Sequence, residues 1–119
     1  MSIIFETTNE TGLWNPSSRV GRTYIGIVRV AEEALEHASG ISDIESDTVT
    51  VDPEVVAEFF SLLVAEMEHG NQVLATQLEG VVVITLALLQ RAGISPDVPS
   101  SHIELLSRSA DIASILSYP

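Results

Sequence analysis

The sequence predicts a mainly α protein: a four-helix assembly with a small two-stranded β element near the N-terminus. Three observations lead there. Long tracts repeat apolar residues at three- and four-residue spacing, the period that lays one helix face on a core. Helix punctuation bounds those tracts, with Asn15-Pro16, Asp52-Pro53, Gly70-Asn71 and Ala92-Gly93 at their ends. Two short segments, Ile3-Ile4-Phe5 and Thr48-Val49-Thr50-Val51, have the β-branched or aromatic make-up of strands and are expected to pair. At 119 residues the chain is expected to form one domain, residues 1–119.

Each element has a local reason. Asn15 is expected to cap the first helix, with Pro16 supplying the fixed φ of its first position. That helix is predicted to run to about Ser39, where Gly40 takes a left-handed stop, with Val20, Tyr24, Ile27, Ala31, Ala34 and Ala38 as its apolar stripe. Gly21 and Gly26 lie inside it at about 1 kcal/mol each, a loss that close packing is expected to offset. Trp14, just ahead of the cap, is expected to pack onto the helix as a staple, with a second reading as an exposed anchor for a partner.

The second helix is expected to start on Asp52 as N-cap and Pro53, with Glu54 at its positive end and Val51 stapled to Val56, and to end near Gly70. Asn71 should cap a third helix, apolar on almost every side from Val73 to Leu89, that stops at Arg91-Ala92-Gly93. Its greasiest run, Val81 to Leu89, contains Thr85 and falls short of the roughly 20 residues of a membrane span, so a buried core helix is expected. A helix of that kind needs cover on all sides, and this predicts self-association into a homo-oligomer. After Pro96 and Pro99, Ser101 and Glu104 have capping-box spacing, and Ile103, Leu106, Ala110 and Ala113 would form the stripe of a fourth helix.

The residues Phe5, Leu13-Trp14-Asn15-Pro16-Ser17, Ser39-Gly40, Val51-Asp52 ahead of Phe59, Leu78-Glu79-Gly80 and Arg91-Ala92-Gly93 resemble those of an uncharacterised actinobacterial domain-of-unknown-function family. The resemblance covers about residues 1–93. It implies a helical fold and an actinobacterial source, in keeping with the absence of Lys, and it implies no catalytic residue.

Composition excludes several chemistries. The chain has 17 Asp and Glu against 5 basic residues, all Arg, for a formal charge of −12, and it has no Cys. Thiol catalysis, disulfides, Cys-ligated zinc, a phosphate-binding lysine and Schiff-base chemistry are therefore ruled out. No Gly-x-Ser-x-Gly elbow occurs either, so a non-enzymatic chain without a cofactor is expected. An acidic surface repels nucleic acid and anionic membranes and favours a basic protein partner. The segment Met1 to Glu6 lacks the basic start and apolar core of a secretory signal, and the expected compartment is the cytoplasm.

The charge is concentrated. Between residues 31 and 68 stand eleven carboxylates and no Lys or Arg, whereas residues 1–30 carry net +1 and residues 69–119 net −2. Asp43, Glu45, Asp47 and Glu54 are the expected partner-binding residues, with Trp14 as a further anchor. The function expected is a protein-binding module, of the immunity or antitoxin type, that holds a basic partner. The alternatives are a self-associating adaptor and a small-ligand-binding helical domain. Crowding of the block also predicts raised carboxyl pKa values and stability that rises as pH falls. The pairs Glu33/His37 and Glu66/His69, with Glu58 and Glu79, are the only candidates for a bundle metal site. Their unequal spacing favours histidines that serve helix C-termini, and no metal is expected.

Overall fold

The computed structural model describes residues 1–115. Along β1 (Ile4–Thr7), Phe5 and Thr7 are buried while Ile4 and Glu6 are half-buried, the two-residue period of a strand. It pairs in parallel with β3 (Thr48–Val51), Phe5 opposite Val49 and Thr7 opposite Val51, so the two β-prone tracts meet as expected. The sheet has three strands, however, not two. β2 (Gly12–Trp14) lies antiparallel on the other edge of β1, giving the order β2-β1-β3. A turn closed by Thr7 N–H on the Thr11 carbonyl at 2.9 Å brings it there, with Glu10 at φ 62°.

Trp14 therefore belongs to a strand, and the first helix begins later than expected. Ile3 N–H donates to the Pro16 carbonyl at 3.0 Å, and this pairing keeps the chain extended through Pro16. Ser17 caps α1 (Ser18–Leu35), its Oγ accepting from Val20 N–H at 3.4 Å. Asn15 makes no cap, and its buried side-chain oxygen finds no hydrogen-bond partner among the described residues. The helix also ends at Leu35, short of Ser39, with Glu36 in the left-handed conformation. Its buried stripe is Gly21, Tyr24, Ile25, Val28 and Ala31, rotated from the expected one, while Val20, Ile27, Ala34 and Ala38 are exposed. Gly21 fits the packing expectation: a Cβ there would stand 3.3 Å from both Ile3 and Pro16. Gly26 does not, because among the described residues nothing lies within 4 Å of where its Cβ would be.

Pro53 opens α2 (Pro53–His69) as expected, but the Asp52 side chain makes no cap bond. The Asp52 backbone serves instead, accepting from Val56 N–H at 2.9 Å and donating to the Gly40 carbonyl at 2.8 Å. Asn71 caps α3 (Gln72–Arg91) on the N–H groups of Val73 and Leu74. This helix is long and apolar enough to cross a membrane, with mean hydropathy 1.8, although 56% of that window is buried inside the chain. It packs mainly against α2 and against α4 (Glu104–Ile115), with shorter contacts to α1 and β2. More than half of that apolar window is therefore covered from within the chain.

α4 starts after a 3-10 turn at Ser100–His102. Ser101 is not part of a capping box: its hydroxyl donates to Glu68 Oε1 at 2.6 Å. Leu105 and Ser109 form the buried side of α4, Ile103 is 58% exposed and Ala110 is exposed. Ala113 lies outside the residues whose side chains are described. One hydrophobic core links the elements. Phe5, Trp14 and Tyr24 form its aromatic corner, with Phe5 4.9 Å from Trp14 and 6.0 Å from Tyr24 between ring centroids. Tyr24 also reaches α3, its hydroxyl 2.7 Å from Thr85 Oγ1 in a fully enclosed pair. Burial pushes the Tyr24 hydroxyl pKa up, and the Thr85 bond only partly offsets this.

Candidate functional site

The expected partner residues lie on a folded hairpin, not on a loose loop. Ile41 bridges Val51 and Glu45 bridges Thr48, so residues 41–45 run antiparallel along the free edge of β3. At its tip Glu45 and Thr48 exchange both backbone hydrogen bonds at 2.9 Å, with Ser46 and Asp47 between them at φ 51° and 59°. Two positive φ angles in a two-residue loop are the turn that suits a twisted hairpin, ordinarily made with Asn-Gly, and Ser-Asp is a more strained solution. At the base, Gly40 at φ 83° lies where a Cβ would stand 2.9 Å from Val55, so both its conformation and its space require glycine.

One cation braces this hairpin. Arg29 donates to Glu32 Oε1 at 3.0 Å, to the Ile41 carbonyl at 2.8 Å and to Asp43 Oδ1 at 3.1 Å. The other Glu32 oxygen accepts from the Ser39 N–H at 2.8 Å and the Ser39 hydroxyl at 2.6 Å. The chain after α1 thus wraps around the Glu32 carboxylate, and for this reason the helix stops before Ser39. Partial burial raises the Glu32 pKa, but the two Ser39 bonds and the Arg29 charge outweigh burial and hold the carboxyl below its ordinary value of 4.5.

For Glu32 the direction is the reverse of the one that crowding predicts. A lowered folded pKa gives a contribution complete above the ordinary value and lost as pH falls through the folded one. Unfolding measured from neutral pH to about pH 3 should therefore show Glu32→Gln losing less stability on the acid side than the native chain. A native chain that gains on Glu32→Gln as acid is added would contradict this network.

The expected site residues separate into groups. Glu45 and Asp47 are exposed at the tip, Asp43 is exposed but tied to Arg29, and Glu54 is exposed in the first turn of α2 beyond the hairpin base. Strand rise puts about 13 Å between the tip and Val51. Trp14 is 4% exposed, which makes it a core residue and removes it as a surface anchor. The two Glu-His pairs are not brought together. His37 lies beyond the end of α1 with Nε2 3.9 Å from Glu58, and His102 faces Glu68 at 3.4 Å. His69 alone of the expected pair closes a helix. Among the described residues no three His, Asp or Glu are grouped closely enough to hold a metal ion.

A second surface lies beside α3, where the ligand-binding alternative would put a pocket. Cavities of about 370 and 410 Å³ share Thr23, Ile27 and Gln77 and together form one apolar groove between α1 and α3. Its α1 wall is Val20, Thr23, Ile27 and Val30, spaced as a helical stripe beside the buried one. The sequence contained the signal, since the apolar arc of α1 is wide enough to fit both stripes. The loop partners of Arg29 and Glu32 left no such trace, because they lie seven to fourteen residues away.

Fold and surface together define a predominantly helical protein with a small three-stranded sheet and a braced acidic hairpin. The chain belongs to a family of unknown function, DUF6086, whose model matches residues 1–117. The family match thus extends through the tail, beyond the 1–93 of the motif resemblance. No curated protein and no solved structure matches the chain.

Proposed function

We propose that the chain is a non-enzymatic protein-binding module that holds a basic partner on its acidic hairpin. The finer reading is an immunity or antitoxin-type inhibitor at work in the cytoplasm of an actinobacterium. The observation that carries it is the brace: Arg29 and Glu32 fix the 41–51 hairpin from behind while Glu45 and Asp47 stay exposed at its tip. A surface already held in one shape loses little freedom on docking, and like charges crowded on it are relieved by a cationic partner.

The absence of Lys gives a direct experiment. Zero-length carbodiimide coupling joins carboxylates to amines, and within this chain only the N-terminal amine can react. Complexes captured from the source cells and coupled in this way should carry partner lysines on Glu45, Asp47 and Glu54. Couplings confined to Glu6, Glu10 or Glu104 would overturn the assignment.

A further inference from the structure

A sheet edge presents unpaired backbone N–H and C=O groups and is a surface on which another strand can pair. Among the described residues this sheet has two edges, β2 on one side and the 41–45 arm of the hairpin on the other. On the hairpin arm, Ser42 N–H donates to the Thr50 carbonyl and Asp52 N–H to the Gly40 carbonyl. Residues 40 and 42 therefore face β3, and Ile41 between them turns its own N–H and C=O outward. Both outward groups are taken. The Ile41 carbonyl accepts from Arg29 Nη2 at 2.8 Å, and the Ile41 N–H donates to Ser39 Oγ at 3.2 Å. Further along the arm, the Asp43 carbonyl accepts from the Ser42 hydroxyl at 2.8 Å.

The β2 edge is closed in the same way from another helix. Phe5 lies opposite Trp14 and Glu6 opposite Gly12, one step on β1 against two on β2. Leu13 is thus the extra residue of a bulge, and its carbonyl is left out of the ladder. Arg91, in the last turn of α3, donates to that carbonyl from Nη1 at 2.8 Å. We propose that both edges are latent strand-addition surfaces for a second copy of this chain, and that Arg29 and Arg91 keep them shut. A guanidinium fixed on the outward carbonyl occupies the place that an incoming strand's N–H needs, and this charge-assisted bond must break before pairing can start. A second copy is the occupant because an edge strand paired antiparallel with its own image satisfies the same groups on both sides. The role is separate from the one Arg29 has in fixing the hairpin's shape, and it does not depend on a basic partner.

Arg91→Met keeps the aliphatic stem and removes the donor, whereas Arg91→Lys keeps a cation that can reach the Leu13 carbonyl. Arg22→Met is the control for trading a charge for an apolar tip, since Arg22 is exposed on α1 and bonded to Ser18 of its own helix. The full chain is measured from about 10 to about 300 µM in about 500 mM salt, which screens the repulsion between copies of charge −12. Sedimentation follows the mass, and the infrared amide I band follows sheet formed between chains. Arg91→Met should self-associate at least about tenfold more tightly than the native chain and show the interchain band, with the fluorescence of the buried Trp14 unchanged. Arg29→Met/Arg91→Met, with both edges open, should build assemblies larger than a dimer. The native chain, Arg91→Lys and Arg22→Met should show no interchain band. A band in the native chain, none in Arg91→Met, one of equal strength in Arg22→Met, or one that appears only as the Trp14 fluorescence is lost would each overturn the proposal.

Discussion

Phe5→Ala is expected to lower the free energy of unfolding by about 3–5 kcal/mol, a large share of the roughly 5–15 kcal/mol available to a domain. Phe5 is completely buried, it occupies the middle strand of the sheet, and its ring touches the two other aromatics of the corner. Truncation removes the transfer energy of a phenyl ring and leaves a cavity lined by Trp14, Tyr24 and their neighbours. Those walls belong to both the sheet and α1, so neither can close the gap without pulling on the other. Urea denaturation measures the loss as a shift in midpoint. A loss under about 1 kcal/mol would mean that the aromatic corner does not join sheet to helix.

Arg29→Met has the second largest expected effect, about 2 kcal/mol. The figure is low for a charged group with several hydrogen bonds, because Arg29 and Glu32 keep some contact with water. The variant keeps the aliphatic stem but leaves Glu32 without its cation and the Ile41 carbonyl without its donor. Its consequence should be local as well as global: amide exchange should accelerate at Ser42, Glu45 and Thr48, whose N–H groups hold the hairpin together. Equal exchange in the native chain and the variant would show that the hairpin stands without the brace.

The parts of the fold that were legible in the sequence are those whose cause is local. Asn71 followed by an apolar run, and Pro53 at the head of the next, carry their signal within four residues, and both helices form where expected. Trp14 is buried against Tyr24 of α1, as its packing reading expects, but its strand is not legible, because a three-residue strand is defined by its neighbour β1 and not by its own composition. The same reasoning explains α1. Its inner stripe includes Gly21, which has no apolar signal and is buried only because Ile3 and Pro16 come close. At the candidate site the carboxylates themselves were legible, since charge can be counted. Their arrangement was not, because Arg29 lies outside the acidic block in sequence yet binds Glu32 and Asp43 within it.

That brace changes which substitutions are informative. Asp43→Lys would disturb Arg29 as well as the surface charge, so the cleaner set is Glu45→Lys, Asp47→Lys and Glu54→Lys, with Glu10→Lys and Glu104→Lys as controls of the same sign. The central claim, that the hairpin steers and holds a basic partner, is tested most directly by the association rate of the captured partner as a function of ionic strength. Salt shortens the screening length to about 8 Å at physiological strength, so steering by the hairpin should fade over that range. The account predicts that the triple variant associates at least about tenfold more slowly at low salt with a flatter salt dependence, while the controls follow the native chain. A triple variant with the native rate and the native slope would contradict it.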